Sequence, residues 1–143
     1  MNKKSFVPLT IEGATKIRPF KEKPSAESPL HGAIYRLFPS ANAVVHVHPP
    51  QLVARTQDAA KLQFSGQEMS KAFGVPSHEE TIEIPVMPNT QDMHELAGQL
   101  DKLCNHTMPL FALSGHGVYA WAKEPITALH YVEALEFLCQ TVK

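Results

Sequence analysis

The sequence is poor in cysteine: Cys104 and Cys139 are its only two in 143 residues, far apart and without CxxC spacing. A lone disulfide or two reduced thiols both fit that count, and the wide separation favours two thiols. No run of about 18 apolar residues occurs, so no membrane-spanning helix is expected. The N-terminal MNKKSFVPLTIEG contains no apolar h-region, so no secretory signal is expected, and the chain reads as cytoplasmic. Charge of one sign is lacking too. Thirteen basic and fourteen acidic residues give −1 with no basic block, which speaks against nucleic-acid or membrane-surface binding held by bulk charge. Charged residues amount to 19%, below the usual figure of about 25%, which suggests that other subunits cover part of the surface. What is present is an ordinary 43% hydrophobic content, twelve prolines and eight histidines. A chain of this length buries roughly two thirds of its surface on folding, enough for one domain over residues 1–143.

Residues 1–23 form an atypical basic stretch with Lys3, Lys4, Lys16, Arg18, Lys21 and Lys23. A short strand is expected at Phe6–Ile11, then a loop through Pro19, Pro24 and Pro29. Ser28-Pro29 reads as a helix start, with a capping hydroxyl followed by a proline whose missing N–H costs nothing there. Leu30, Ala33, Ile34 and Leu37 recur at helical spacing until Pro39. Ala43–His48 is β-branched and stopped by Pro49-Pro50, which predicts a strand. Brief helices are expected at Gln51–Thr56 and Ser65–Phe73, the second ending at Gly74. Thr81–Met87 reads as a strand whose internal proline puts it at an edge or a bulge. Asp92–Leu103 is an amphipathic helix, and Pro109–Leu113 and Val118–Ala122 are strands flanking Ser114-Gly115-His116-Gly117. A last helix from Pro125 carries Ile126, Leu129, Val132, Leu135 and Leu138 on one side. Alternating helices and strands predict an α/β layered domain.

His46-Val47-His48 is the sharpest chemical signal. On a strand, side chains i and i+2 share a face, so both imidazoles point one way while Val45 and Val47 enter the core. Two nitrogens so placed can ligate a Zn²⁺-like ion, but two histidines on a half-exposed strand match the pattern equally well. A catalytic zinc needs a third protein ligand and an open position. His116 is the candidate, because the flanking glycines give its turn the backbone freedom to reach a site set by another element. His31, His78, His94, His106 and His130 lack such geometry and are read as structural. Two carboxylates stand out as proton carriers. Glu27 lies just before the first helix, where an acidic residue also complements the helix N-terminus. Glu68 lies early in the short Ser65–Phe73 helix, where a solvated glutamate is equally ordinary.

VVHVHPP, SGHGVYAW and PSAESPLHGAIYR together resemble the class II aldolase/adducin superfamily. Within it, GQEMSKAFGVPSHEETIEIPVMPNTQDMHEL, followed by HGVYAW and EALEFL, looks like the methylthioribulose-1-phosphate dehydratases of methionine salvage. The resemblance implies a three-layer α/β/α domain around a mixed, mostly antiparallel sheet, assembled as a homotetramer. It implies one Zn²⁺ per subunit on His46, His48 and His116. Glu68 matches the dehydratases' catalytic acid/base and Glu27 the carboxylate that carries the proton in the related aldolases. The substrate would be a sugar phosphate. Dehydration needs an acid for the departing hydroxyl, and Glu68 would supply it with its pKa raised by a closed apolar pocket.

The resemblance also implies phosphate-holding loops, an SGN-type loop and a later S-G loop, preceding the matched region. Nothing in residues 1–23 resembles them, so an N-terminally truncated domain with an uncovered sheet edge and uncovered apolar helix faces is expected. Two alternatives stay open: a sugar-phosphate aldolase of the fuculose or rhamnulose type, and a catalytically weak metal-binding subunit.

Overall fold

Alternation along the central strands sorts the apolar side chains into two cores. The computed structural model of the chain describes residues 9–10, 23–104 and 107–142. Among them lie five strands: β1 (Ala43–Val47), β2 (Lys61–Phe64), β3 (Ile82–Met87), β4 (Leu110–Leu113) and β5 (Gly117–Ala122). They form one sheet in the order β1-β5-β4-β3-β2, antiparallel at each pairing except the parallel β3 with β4. Val118 and Ala120 of β5 join Leu110, Ala112, Ile82 and Ile84 in one core, whereas Tyr119 and Trp121 join Phe111 and Leu113 in the other.

The first core is closed by α2 (Pro50–Thr56), the 3-10 helix Glu68–Phe73 and α4 (Pro125–Thr141), through Leu52, Phe73, Val132, Leu135 and Leu138. The second is closed by α1 (Ser28–Leu37) and α3 (Met93–Leu103), through Leu30, Ile34, Leu96 and Leu100. This is the expected three-layer α/β/α domain around a mixed, mostly antiparallel sheet. Cys139 lies in the first core and Cys104 in the second, so the sheet stands between the two thiols and they form no disulfide. Burial pushes each thiol up to about 11.

Several local expectations change. The strand expected at Phe6–Ile11 lies outside the described residues apart from Leu9 and Thr10. Ser28 is the first residue of α1 rather than its cap. Its hydroxyl donates back to the Ser25 carbonyl at 2.7 Å, and Glu27 occupies the cap position. β3 is an interior strand, not an edge. Val86 donates its N–H towards β2, so the missing N–H of Pro85 falls on the β4 side, where pairing begins only at Val86. β2 was not expected at all, and its four residues alternate exposed and buried. The short helix expected from Ser65 begins at Glu68 and is 3-10.

Two helices hold each other's ends. Pro49 caps α2 without a side-chain acceptor. The Glu136 carboxylate of α4 accepts instead from the N–H groups of Gln51 (3.1 Å) and Leu52 (2.9 Å). In return Arg55 of α2 donates to the carbonyls of Val142 (2.6 Å) and Cys139 (3.4 Å) at the end of α4. Glu136→Ala is therefore expected to cost about 2 kcal/mol by leaving two helix-terminal donors unmet. The loss should appear as a lower urea midpoint at unchanged slope. An unchanged midpoint would mean that water serves those donors equally well.

Among the described residues Ile126, Leu129 and Phe137 of α4 and Met69 of the 3-10 helix are exposed. Among the described residues no helix is long and apolar enough to cross a membrane.

Candidate metal centre

β1 delivers its histidines as the alternation predicts. Val45 and Val47 pack against the first core, and His46 turns to the other face, where its ring stacks on Tyr119 at 4.1 Å. His48 stands just past the strand's end. Its Nε2 lies 3.1 Å from Nε2 of His46. His116 comes from the β4–β5 turn, and its ring stacks on His48 at 4.9 Å and meets His46 edge-on at 5.2 Å. One ligand nitrogen from each of the three lies within 4.8 Å of the others. A tetrahedral zinc with bonds of about 2.0–2.1 Å sets its ligand nitrogens about 3.3 Å apart, so small side-chain shifts suffice.

Other details fit a divalent ion. Nδ1 of His46 donates to the Val118 carbonyl at 3.0 Å, which leaves Nε2 as the lone-pair donor facing its neighbours. Burial holds the His46 pKa below the usual imidazole value, favouring the neutral ligand form. Among the described residues Nδ1 of His116 is buried without a hydrogen-bond partner, a cost that coordination through this nitrogen would relieve.

The turn carrying His116 is fixed from two sides. Gly115 adopts φ +60°, the left-handed conformation that glycine takes without strain. Ser114 donates its hydroxyl to the Thr56 carbonyl (3.0 Å), and the fully buried Thr56 hydroxyl accepts from the N–H of Gly115 (3.2 Å). Gly117 is needed for another reason. A Cβ there would stand 2.5 Å from both His48 Cδ2 and the Val47 carbonyl, and 3.2 Å from His46 Cε1.

The two carboxylates part company. Glu27, at the N-terminus of α1, reaches the site: one oxygen accepts from the Tyr119 hydroxyl and the other lies 3.9 Å from Nε2 of His116. Glu68 does not. Its carboxylate lies 2.5 Å from Lys71 Nζ and 3.5 Å from His78 Nδ1, with the side chain 73% exposed. The lysine beside it lowers its pKa, the reverse of the expected elevation. The reason is topological: Glu68 follows β2, at the edge of the sheet opposite β1, and its helix packs against α4.

Sequence reasoning also passed over Tyr119, Thr56, Ser114 and Glu136. Only Tyr119 carried a usable signal, as a hydroxyl-bearing ring three residues after His116 and a strand partner of His46. His31, read as structural, meets the Tyr119 ring edge-on at 5.3 Å, and its burial lowers its pKa against the raising effect of Glu27.

The family described as the Class II Aldolase and Adducin N-terminal domain matches residues 1–142, and the chain belongs to it. It is 40% identical over 137 residues to a methylthioribulose-1-phosphate dehydratase of Xanthomonas oryzae pv. oryzae, covering 92% of this chain and 60% of that protein. It is also 40% identical over 136 residues to the enzyme of that name from Klebsiella pneumoniae subsp. pneumoniae, covering 91% and 67%. The chain thus spans about 60% of the length of the first of these relatives. In structure it is similar to an L-fuculose-1-phosphate aldolase from Thermus thermophilus, with a TM-score of 0.70 and 24% identity over 94% of this chain and 65% of that one. A second L-fuculose 1-phosphate aldolase gives a TM-score of 0.79 at 20% identity, over 98% and 61%. At such identities the two structures speak for the fold alone.

Proposed function

We propose that the chain holds a divalent metal, Zn²⁺ in the first instance, on His46, His48 and His116, and acts in the dehydration of methylthioribulose 1-phosphate to 2,3-diketo-5-methylthiopentyl 1-phosphate. The carrying observation is the convergence of three imidazoles beside Glu27 in a chain about 40% identical to dehydratases of that name. A bound divalent ion would supply Lewis acidity, polarising the ketose carbonyl and making the proton at C3 easier to remove.

The protein's own groups supply orientation and proton transfer. His46 is held in one tautomer by the Val118 carbonyl. Among the described residues Glu27, next to His116, is the carboxylate placed to accept or return a proton at the substrate's carbon chain. Glu68, the acid that the resemblance assigns to loss of the C4 hydroxyl, stands at the far edge of the sheet. In this reading it serves a site only across a contact between copies, within the homotetramer that the resemblance implies. The exposed Met69 and Phe137, which line one cleft with Glu68, suit such a contact. A cytoplasmic setting completes the reading.

A class II sugar-phosphate aldolase is the second reading, and one observation favours it: the carboxylate found at the histidines is Glu27, the one matched to the aldolases' proton carrier. Mass spectrometry of the products separates the two. The zinc-loaded protein, given methylthioribulose 1-phosphate, is expected to yield one product lighter by one water. Cleavage into two carbon fragments would select the aldolase. No water loss from a protein with stoichiometric zinc would reject the dehydratase reading.

A further inference from the structure

We infer that Tyr119 is a positioning residue of this site: its hydroxyl holds the Glu27 carboxylate beside the histidines while its ring backs the imidazole of His46. The inference rests on the metal reading above and extends it to a residue that is neither ligand nor proton carrier.

The placement follows from register. Phe111, Tyr119 and His46 are direct partners across β4, β5 and β1, so their rings form a row across three strands. Tyr119 stacks on His46 at 4.1 Å and on Phe111 at 5.1 Å, each with 18° between planes, and His31 meets it edge-on. A residue needed only to fill this place would require a ring and no more, because Tyr119 is fully buried between apolar and imidazole neighbours. Among the described residues its hydroxyl donates to one partner, Glu27. Glu27 makes no side-chain bond to its own helix, so this hydroxyl, together with the approach to His116, decides where the carboxylate points. With one oxygen thus fixed, the other faces His116 and places negative charge beside three neutral ligands, which favours a cation among them.

The test is a double-mutant cycle on Zn²⁺ affinity, read by competition with a chromophoric chelator at one pH. Glu27→Gln is expected to weaken zinc binding about tenfold, in the range for groups that support metal ligands. Tyr119→Phe, which keeps the ring row, should weaken it several-fold, and should add nothing in the Glu27→Gln background. Equal losses in both backgrounds would overturn the inference, because Tyr119 would then act through His46 or the core. So would wild-type affinity in Tyr119→Phe. Glu27→Asp offers a check that leaves Tyr119 intact: it keeps the charge but withdraws it from the hydroxyl by one methylene, and is expected to match Tyr119→Phe. Wild-type affinity in Glu27→Asp would also count against the inference. A wild-type chain that binds no zinc would sink this inference and the metal reading together. The cycle needs no turnover, so failed dehydration alongside the expected coupling would reject the substrate reading alone.

Discussion

Gly117→Ala is expected to abolish stoichiometric zinc binding as completely as His46→Ala, His48→Ala or His116→Ala. Each histidine replacement removes one of the three protein ligands, and two imidazoles alone do not retain the ion through dialysis. The glycine substitution removes no ligand, yet its added methyl would sit 2.5 Å from a backbone carbonyl and 2.5 Å from the His48 ring. The Val47 carbonyl belongs to the strand pair in which Val47 faces Val118, so it yields only if the β1–β5 ladder opens. The turn and His48 must move instead, and metal sites tolerate bond-length errors of only about 0.2 Å. Gly115→Ala is the control. Gly115 has the left-handed backbone at φ +60°, which a side chain would strain, but nothing lies within 4 Å of a new Cβ. That substitution should cost about 1 kcal/mol of stability and leave the metal in place. Metal analysis after dialysis, with circular dichroism to verify folding, decides the matter: one zinc per chain in Gly117→Ala would contradict the assignment.

The pair of substitutions also marks where sequence reading reaches and where it stops. Period-two alternation in VVHVHPP placed two imidazoles on one face of a strand, and the structure agrees, because that inference depends on backbone geometry within a few residues. Glycines around His116 signalled an unusual turn. Their roles divide in a way that composition does not reveal: Gly115 relieves backbone strain, while Gly117 makes room for a neighbouring strand. The parallel pairing of β3 with β4 was hidden because Pro85 reads as an edge residue unless one knows which side of the strand its missing N–H faces. Lys61–Phe64 went unrecognised because four residues give too few alternations to stand out. Glu68 illustrates the general limit. Its neighbours in sequence describe a carboxylate opening a short helix, as found. Whether that helix sits beside β1 or at the opposite edge is a property of strand order, which local pattern does not encode. Tyr119 escaped for a related reason, since its partner Glu27 lies 92 residues away.

Mixing two inactive variants is expected to restore activity. With zinc in excess, so that both variants are loaded, Glu27→Gln and Glu68→Gln should each lose dehydration by about 10²-fold or more, as for removal of a general acid or base. If one site takes Glu27 from one copy and Glu68 from another, random assembly of the two variants gives about a quarter of the sites both carboxylates, and turnover should rise to about that share of wild type. The separation of the two groups within the chain motivates this. Glu27 is 20% exposed beside His116, whereas Glu68 is 73% exposed at the far edge of the sheet. Lys71 lowers the pKa of the solvent-exposed Glu68, which makes it a poor acid near neutrality. Burial against a second copy would exclude water and raise that pKa, giving the group the protonated form that the departing hydroxyl requires. The mixture is made by co-expression or by joint refolding, so that subunits exchange. Activity no higher than that of either parent would place both carboxylates' work within one chain, against the topology. Wild-type turnover in Glu68→Gln alone would remove that residue from the chemistry and leave Glu27, next to His116, as the site's carboxylate.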